Sequence, residues 1–279
     1  MAATFLLRLF FVLYRRIFVC RAAMPAGILK QQEMKDNFSN HADLYASYRP
    51  EYPPSLYEYM LSLVPGRNCA WDCGTGNGQL AAGLSPFFTT VYATDISAAQ
   101  LQHAQQRSNI IYSKQAAEHT DFPRAYFDLV VVAQAIHWFH FEQFYAEVRR
   151  VLKPGGMLIV TGYGLLQTNP AIDKLLRHLY TDIVGPYWDP ERRYIDEGYK
   201  TIPFPFEAIK TPELIHRLVW TREQFIGYLN TWSAVQHYIK DKNHNPVTLI
   251  EAELNTLWPD AGKKDVQFPV LLRAARMAE

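Results

Sequence analysis

Three cysteines in 279 residues, Cys20, Cys69 and Cys73, are too few for a disulfide scaffold. An excess of one charge is lacking too. The 28 lysines and arginines face 27 aspartates and glutamates, a net of +1. That balance argues against a strongly electrostatic nucleic-acid binder. Charged residues are 20% of the chain and no long run is low in complexity, so disorder is not the expected state. Nor does the N-terminal segment hold a long apolar run. Within residues 5–19, FLLRLFFVLYRRIFV, arginines cut the chain into stretches of about six. A membrane-spanning helix needs roughly 18–20, and a secretory signal an unbroken core of about 7–15.

What is present in residues 1–33 is basic: Arg8, Arg15, Arg16, Arg21 and Lys30 against Glu33 alone. As a helix, Arg8, Arg15 and Arg16 share one side opposite a Phe/Leu face. This is the pattern of a mitochondrial presequence, although it contains no serine. The plainer alternative is a dispensable extension, with folding beginning near Met34. The expected location is cytoplasmic, or mitochondrial if the segment is a presequence. Residues 34–279 then carry 23 basic and 26 acidic side chains, a net of −3. With 49% apolar residues, they can form one large domain with an insertion.

Short apolar runs alternate with helical patterns. The expected strands are Asn68–Cys73, Thr90–Asp95, Asn109–Lys114, Phe127–Ala133 and Met157–Gly162. Between them lie expected helices Asn77–Phe87, Ser97–Arg107 (Ser97 as N-cap) and Phe141–Leu152, the last stopped by Lys153-Pro154-Gly155-Gly156. Such units build an α/β, doubly wound, mostly parallel sheet with helices on both faces. Ligands of such sheets sit at the carboxyl edge of the strands. Residues 165–211 break the rhythm with a helical Ala171–Ile183 and a proline- and aromatic-rich stretch. They are expected to form an inserted cap over that edge. Strand Leu214–Trp220, helices Arg222–Thr231 and Pro246–Leu257, and strand Val266–Arg273 follow.

The chemistry is carried by Trp71-Asp72-Cys73-Gly74-Thr75-Gly76-Asn77-Gly78, between the first strand and the first helix of the sheet. Its glycines let the backbone approach a ligand closely. Counted from Gly74, the dinucleotide fingerprint G-x-G-x-x-G/A fails, because that register ends on Gln79. The pattern is D-x-G-x-G-x-G instead. A carboxylate two residues before the first glycine opposes a pyrophosphate and suits a cofactor with a cationic end.

Here the chain resembles the class I S-adenosylmethionine-dependent methyltransferases, over roughly residues 40–275. Three further features carry the resemblance: Asp95 ending the second strand, Gln115-Ala116-Ala117-Glu118 after the third, and Arg149–Gly156 before the fifth. The resemblance implies a Rossmann-like sheet of seven strands, the last antiparallel. It implies S-adenosylmethionine held by Asp72, Gly74, Gly76, Gly78, Asp95, Ile96, Ala117, Glu118 and Gln134. Within the class, Phe38–Tyr45 with Tyr48-Arg49-Pro50, Gln134–Phe139 and Asn230–Ala234 look most like the trans-aconitate methyltransferase-like (methyltransferase type 11) small-molecule enzymes. This implies a small-molecule acceptor, with a carboxylate favoured. Tyr45, Arg49 and Trp232 would face it and His137 and Trp138 would line the methyl-transfer point.

Bland roles stand beside these. Asp72 or Asp95 could cap a helix, Glu118 could be a solvated loop acid, and Arg49 could be solvated. His137 and Trp138 could be core. For an already ionised carboxylate acceptor His137 would only orient; for a phenol, amine or thiol it would be the candidate base. No metal site is expected, since His137 and His140 lack a third ligand. Nucleic acid is not the expected substrate: the N-P-P-Y, D-P-P-Y and Pro-Cys signatures of its methylating enzymes are missing. A non-catalytic cofactor-binding subunit is the alternative to an enzyme. Oligomeric state is not readable.

Overall fold

The structure, a computed structural model, describes residues 48–259 and 262–278. The expectations for residues 1–33 and for Tyr45 lie outside the described residues.

A buried parallel sheet forms first in chain order. It comprises β1 (Cys69–Cys73), β2 (Thr90–Asp95), β3 (Ile110–Lys114), β4 (Phe127–Ala133) and β5 (Leu152–Tyr163). The order β3-β2-β1-β4-β5 reverses direction at β1, which opens a crevice at the carboxyl ends of β1 and β4. Among the described residues the sheet has eight strands rather than the expected seven. β8 (Lys264–Arg276) runs antiparallel to β5, and both β6 (Ala208–Ile209) and β7 (Leu214–Trp220) pair with β8. The extra strand is β6, a two-residue pairing within residues 165–211, too short to leave an alternating pattern.

The apolar run of β4 is divided between two layers by strand alternation. Val130 and Val132 pack with Trp71, Val160 and, from the helix Phe141–Val151, Phe144, Tyr145 and Val148. Leu129 and Val131 pack with Leu56 and Met60 of α1 (Pro54–Leu63) and with Leu80 and Leu84 of α2 (Gln79–Leu84). Helix α3 (Ala98–Gln102) is far shorter than expected, because the Gln105 amide turns aside to donate to Asn77 O at 3.1 Å. Ser97 caps it, as expected, by accepting from the Gln100 amide. Helix α4 (Phe141–Val151) runs straight into β5: the Lys153–Gly156 segment bulges within the strand instead of separating the two.

After β5 come α5 (Pro170–Arg177), a π-helical turn His178–Ile183, 3₁₀ turns at Gly185–Tyr187 and Pro190–Arg192, and the single turn α6 (Arg193–Asp196). Helices α7 (Arg222–Asn230), α8 (Ser233–Lys242) and α9 (Thr248–Leu257) follow β7. A third hydrophobic cluster joins the post-β5 residues Leu176, Leu179 and Val184 to Trp220, Tyr228, Trp232 and Trp258. Among the described residues no helix is long and apolar enough to cross a membrane.

Candidate active site

The turn after β1 is drawn against β2 by two backbone hydrogen bonds. The amides of Gly74 and Thr75 both donate to Thr94 O at 2.9 Å. Gly74, Gly76 and Gly78 all have positive φ, at 71°, 56° and 79°, a conformation that costs other residues energy. Their surroundings differ. A Cβ on Gly74 would lie 2.7 Å from Ala135 Cβ, whereas one on Gly76 would meet nothing nearer than 3.8 Å. Gly76 is therefore the bare backbone facing the crevice. Asp95 Oδ2 accepts from the Gly76 amide and Oδ1 from the Ser97 amide, both at 2.8 Å. The expected ribose-binding carboxylate thus also pins the glycine turn, and carboxylate oxygens have lone pairs left for hydroxyl donors. Ile96 is half-buried beside it.

Asp72 lies beneath the turn with no exposed surface. Its Oδ2 accepts from the Thr75 hydroxyl at 2.6 Å, and its Oδ1 has no hydrogen bond of ordinary geometry. Burial raises its carboxyl to about 7, against the lowering effect of Thr75 and the Ala81 amide. Its observed partner is the turn itself. Ala117 is buried among the aromatics beside α4. Glu118 Oε1 accepts from the His140 amide at 2.8 Å. Gln134, expected at the cofactor, has φ 56° and gives its side chain to β5: Oε1 accepts from the Tyr163 amide at 2.7 Å, and Nε2 donates to Tyr163 O at 3.4 Å. A left-handed conformation is strained for a residue other than glycine, and these two bonds to Tyr163 hold Gln134 in it.

Across the crevice, His137 and Trp138 form the 3₁₀ turn Ile136–Trp138. His137 is 5% exposed, and its Nδ1 has no hydrogen-bond partner. Burial, then the charges of Arg192 and Arg49, lower its imidazole to about 3. It is neutral at physiological pH; of its two expected roles, orienting a carboxylate or acting as base toward a phenol, amine or thiol, a lowered imidazole is poorly suited to the second. Arg49 donates to Tyr163 OH and Thr231 O, each at 3.2 Å. Arg192 is stacked 4.5 Å over Trp188 and 5.3 Å over Tyr180. Its Nε donates to Tyr180 OH at 2.8 Å, and that hydroxyl donates to Asp196. Its neighbour Arg193 is exposed and donates to Tyr194 OH. Trp232 is 1% exposed, packed against Trp188, Tyr180 and Tyr228. It belongs to the hydrophobic core behind Trp188 and Tyr180.

The sequence reading missed Tyr199 and Gly162. Tyr199 is fully buried at φ 60°, its ring stacked 6.3 Å from that of His137. Gly162 leaves room for it: a Cβ there would lie 2.4 Å from Gln134 Oε1 and 2.9 Å from Tyr199 OH. No local pattern announces either residue. A separate cavity of about 610 Å³, lined by Tyr52, Tyr57, Gln79, His216 and Trp220, shares Arg49 but none of Asp95, Glu118, His137 and Arg192.

A methyltransferase-domain family model matches residues 71–160. A Dictyostelium discoideum protein named as a methyltransferase is 33% identical over 89% of this chain and 98% of its own. The chain belongs to the methyltransferase family. A Saccharomyces cerevisiae protein named as an S-adenosylmethionine-dependent methyltransferase is 23% identical over 81% of this chain and 90% of its own. A solved structure from Anaeromyxobacter dehalogenans, titled as a type II methyltransferase, is 36% identical, with a TM-score of 0.78 over 84% of this chain and all of that one. This methyltransferase accordingly has the Rossmann-like fold of its class, and family and fold imply use of S-adenosylmethionine. The open backbone at Gly76 and the acceptors on Asp95 fit that cofactor.

Proposed function

We propose that the enzyme methylates the carboxylate of a small-molecule acceptor held between the Ile136–Trp138 turn and the residues after β5. The observation that carries this reading is the buried, uncharged His137 with its unpartnered Nδ1, in the field of the Arg192 and Arg49 guanidiniums. Such a place favours an anion and supplies no base. A carboxylate, already ionised, requires none. Bound S-adenosylmethionine supplies a methyl group on a positively charged sulfur. Held by Asp95 and the Gly74–Gly78 turn, it would supply that methyl group to the acceptor oxygen. The chain's residues align and dry the site. Arg192 and Arg49 orient the carboxylate, while His137, Trp138 and Tyr199 wall it from water. The similarity of Gln134–Phe139 and Asn230–Ala234 to the trans-aconitate-like subgroup supports the same substrate class.

Transfer of a tritiated methyl group from S-adenosylmethionine into a cell metabolite extract tests the reading. The labelled product should release its label under mild alkaline hydrolysis, as a methyl ester does; a resistant product would sink the carboxylate assignment. His137→Ala should reduce turnover only modestly and leave the pH profile between 5.5 and 8 unchanged. Loss of an acidic limb with a drop of about 10²–10⁴-fold would instead reveal a base.

A further inference from the structure

Helix α4 is fastened at both ends to the loop that follows β3. Near its C-terminal end, Glu147 Oε1 accepts from the Thr120 amide at 2.8 Å and from the Thr120 hydroxyl. Arg150 pairs with Glu147 at 2.6 Å and donates to Thr120 O and Phe122 O. Burial alone would raise the Glu147 carboxyl, but the bonds from Arg150 and Thr120 outweigh it and hold it below the usual range. This end is a buried, satisfied anchor.

The N-terminal end is different. His140 stands at the N-cap of α4 without a side-chain cap, and Glu118 reaches across 22 residues to accept its amide through Oε1. Among the described residues the hydrogen bond of Glu118 is the one on Oε1. The carboxylate follows the C-terminal end of β3, on the edge of the parallel sheet where the crevice opens, and meets there the first residue of the turn into α4. His140 in turn closes the segment that begins at Ile136. Trp138 donates its amide to Ala135 O at 3.0 Å and Phe139 its own to Ile136 O at 3.1 Å. One carboxylate thus joins the adenosine side of the crevice to the segment bearing His137 and Trp138.

We propose that Glu118 is a positioning residue, transmitting occupancy of the adenosine end of the crevice to the acceptor turn Ile136–Trp138. The inference rests on the S-adenosylmethionine reading. An amino group on the ligand's purine donates to Oε2, which fixes the carboxylate. The fixed carboxylate holds the His140 amide on Oε1, and the turn ahead of His140 is ordered before any acceptor arrives.

Hydrogen exchange on the full chain, with and without saturating adenosine, tests this, because adenosine lacks the methionine end. Exchange at residues 137–141 should slow about tenfold, the size of effect one charge-assisted hydrogen bond gives. Glu118→Gln keeps a carbonyl for His140 but not the second carboxylate oxygen. Its ligand-free exchange should match wild type, and its adenosine-dependent slowing should fall below about twofold. Glu118→Ala should lose both. Full slowing in either variant would show that adenosine touches the turn directly, and the proposal falls. It falls equally if wild type binds adenosine in calorimetry without slowing. If neither adenosine nor S-adenosylhomocysteine binds, the cofactor reading fails, and this inference with it.

Discussion

The two walls of the crevice are made in different ways. The wall after β1 and β2 is built largely from backbone: three glycines of positive φ, amides tied to Thr94 O, and Asp95 holding Gly76. The wall facing it is built from side chains brought together over long distances. Arg49 meets Tyr163 and Thr231, 114 and 182 residues away, and Arg192 is held by stacking on Trp188 and Tyr180. Backbone geometry demands particular residues at fixed spacing, so the first wall leaves a motif. A side-chain wall can be met by many sequences, so the second leaves only short resemblances at Tyr48-Arg49-Pro50 and Gln134–Phe139, and nothing at Arg192 or Tyr199.

The largest expected effect breaks the backbone wall. Gly74→Ala combines a left-handed φ with a 2.7 Å approach to Ala135. Strain and overlap together should cost about 2–4 kcal/mol. The melting temperature should drop by several degrees, and affinity for S-adenosylhomocysteine should fall about a hundredfold in calorimetry. Unchanged binding would mean that this glycine register does not shape the cofactor wall.

On the opposite wall, Arg192→Ala should reduce methyl transfer about 10–100-fold through lost charged hydrogen bonds, with affinity for S-adenosylhomocysteine intact. Arg193→Ala should stay within about twofold of wild type. Equal losses for the two arginines would erase the distinction drawn from their burial.

Asp95→Ala should weaken S-adenosylhomocysteine binding by roughly 1–3 kcal/mol. It should also lower the melting temperature slightly, since the Gly76 and Ser97 amides lose their acceptor. Calorimetry showing full affinity would leave Asp95 as a pin for the turn alone.

An effect of another kind, read as a pH dependence, separates Asp72 from both walls. Its folded-state carboxyl is raised to about 7 from an ordinary 3.8. The stability it contributes is therefore present below about pH 4 and lost as pH rises through 7. Relative to wild type, Asp72→Asn should gain melting temperature from pH 4 to 8 and then level off. His137, lowered to about 3 from 6.5, has the opposite sign: its stability is lost as pH falls from about 6.5. A pH-independent difference for Asp72→Asn would place its carboxylate in solvent-like surroundings.

Legibility followed the same division. Strands β2, β4 and β7 have the bounds their patterns predict, because alternating or continuous apolar runs encode burial directly. Helix α8 was not expected: it buries little more than Ala234 and Val235, too few residues to write a period. Helix α1 was missed although Pro54 at its start and the buried pair Leu56 and Met60, four apart, were visible. On the site, Gly74, Gly76, Gly78 and Asp95 could be named from spacing. Arg192 and Arg193 are indistinguishable in sequence, and only tertiary packing turns one inward. Tyr199 owes its place to a left-handed backbone one residue past Gly198, also left-handed; the glycine marks a turn but not which side chain the turn buries.

The placement of β8 has a consequence for synthesis. It is the last strand in chain order, yet it lies inside the sheet, with β5 on one side and β6 and β7 on the other. During translation the edge of β5 from Met157 to Tyr163 stays unpaired until Arg276, its farthest partner, has emerged. Helices and crevice residues made earlier wait on a half-closed sheet whose open edge can capture other chains. A nascent chain halted before residue 264 would lack the strand that joins β6 and β7 to the rest, and ribosome-bound chains of increasing length should become protease-resistant in one late step.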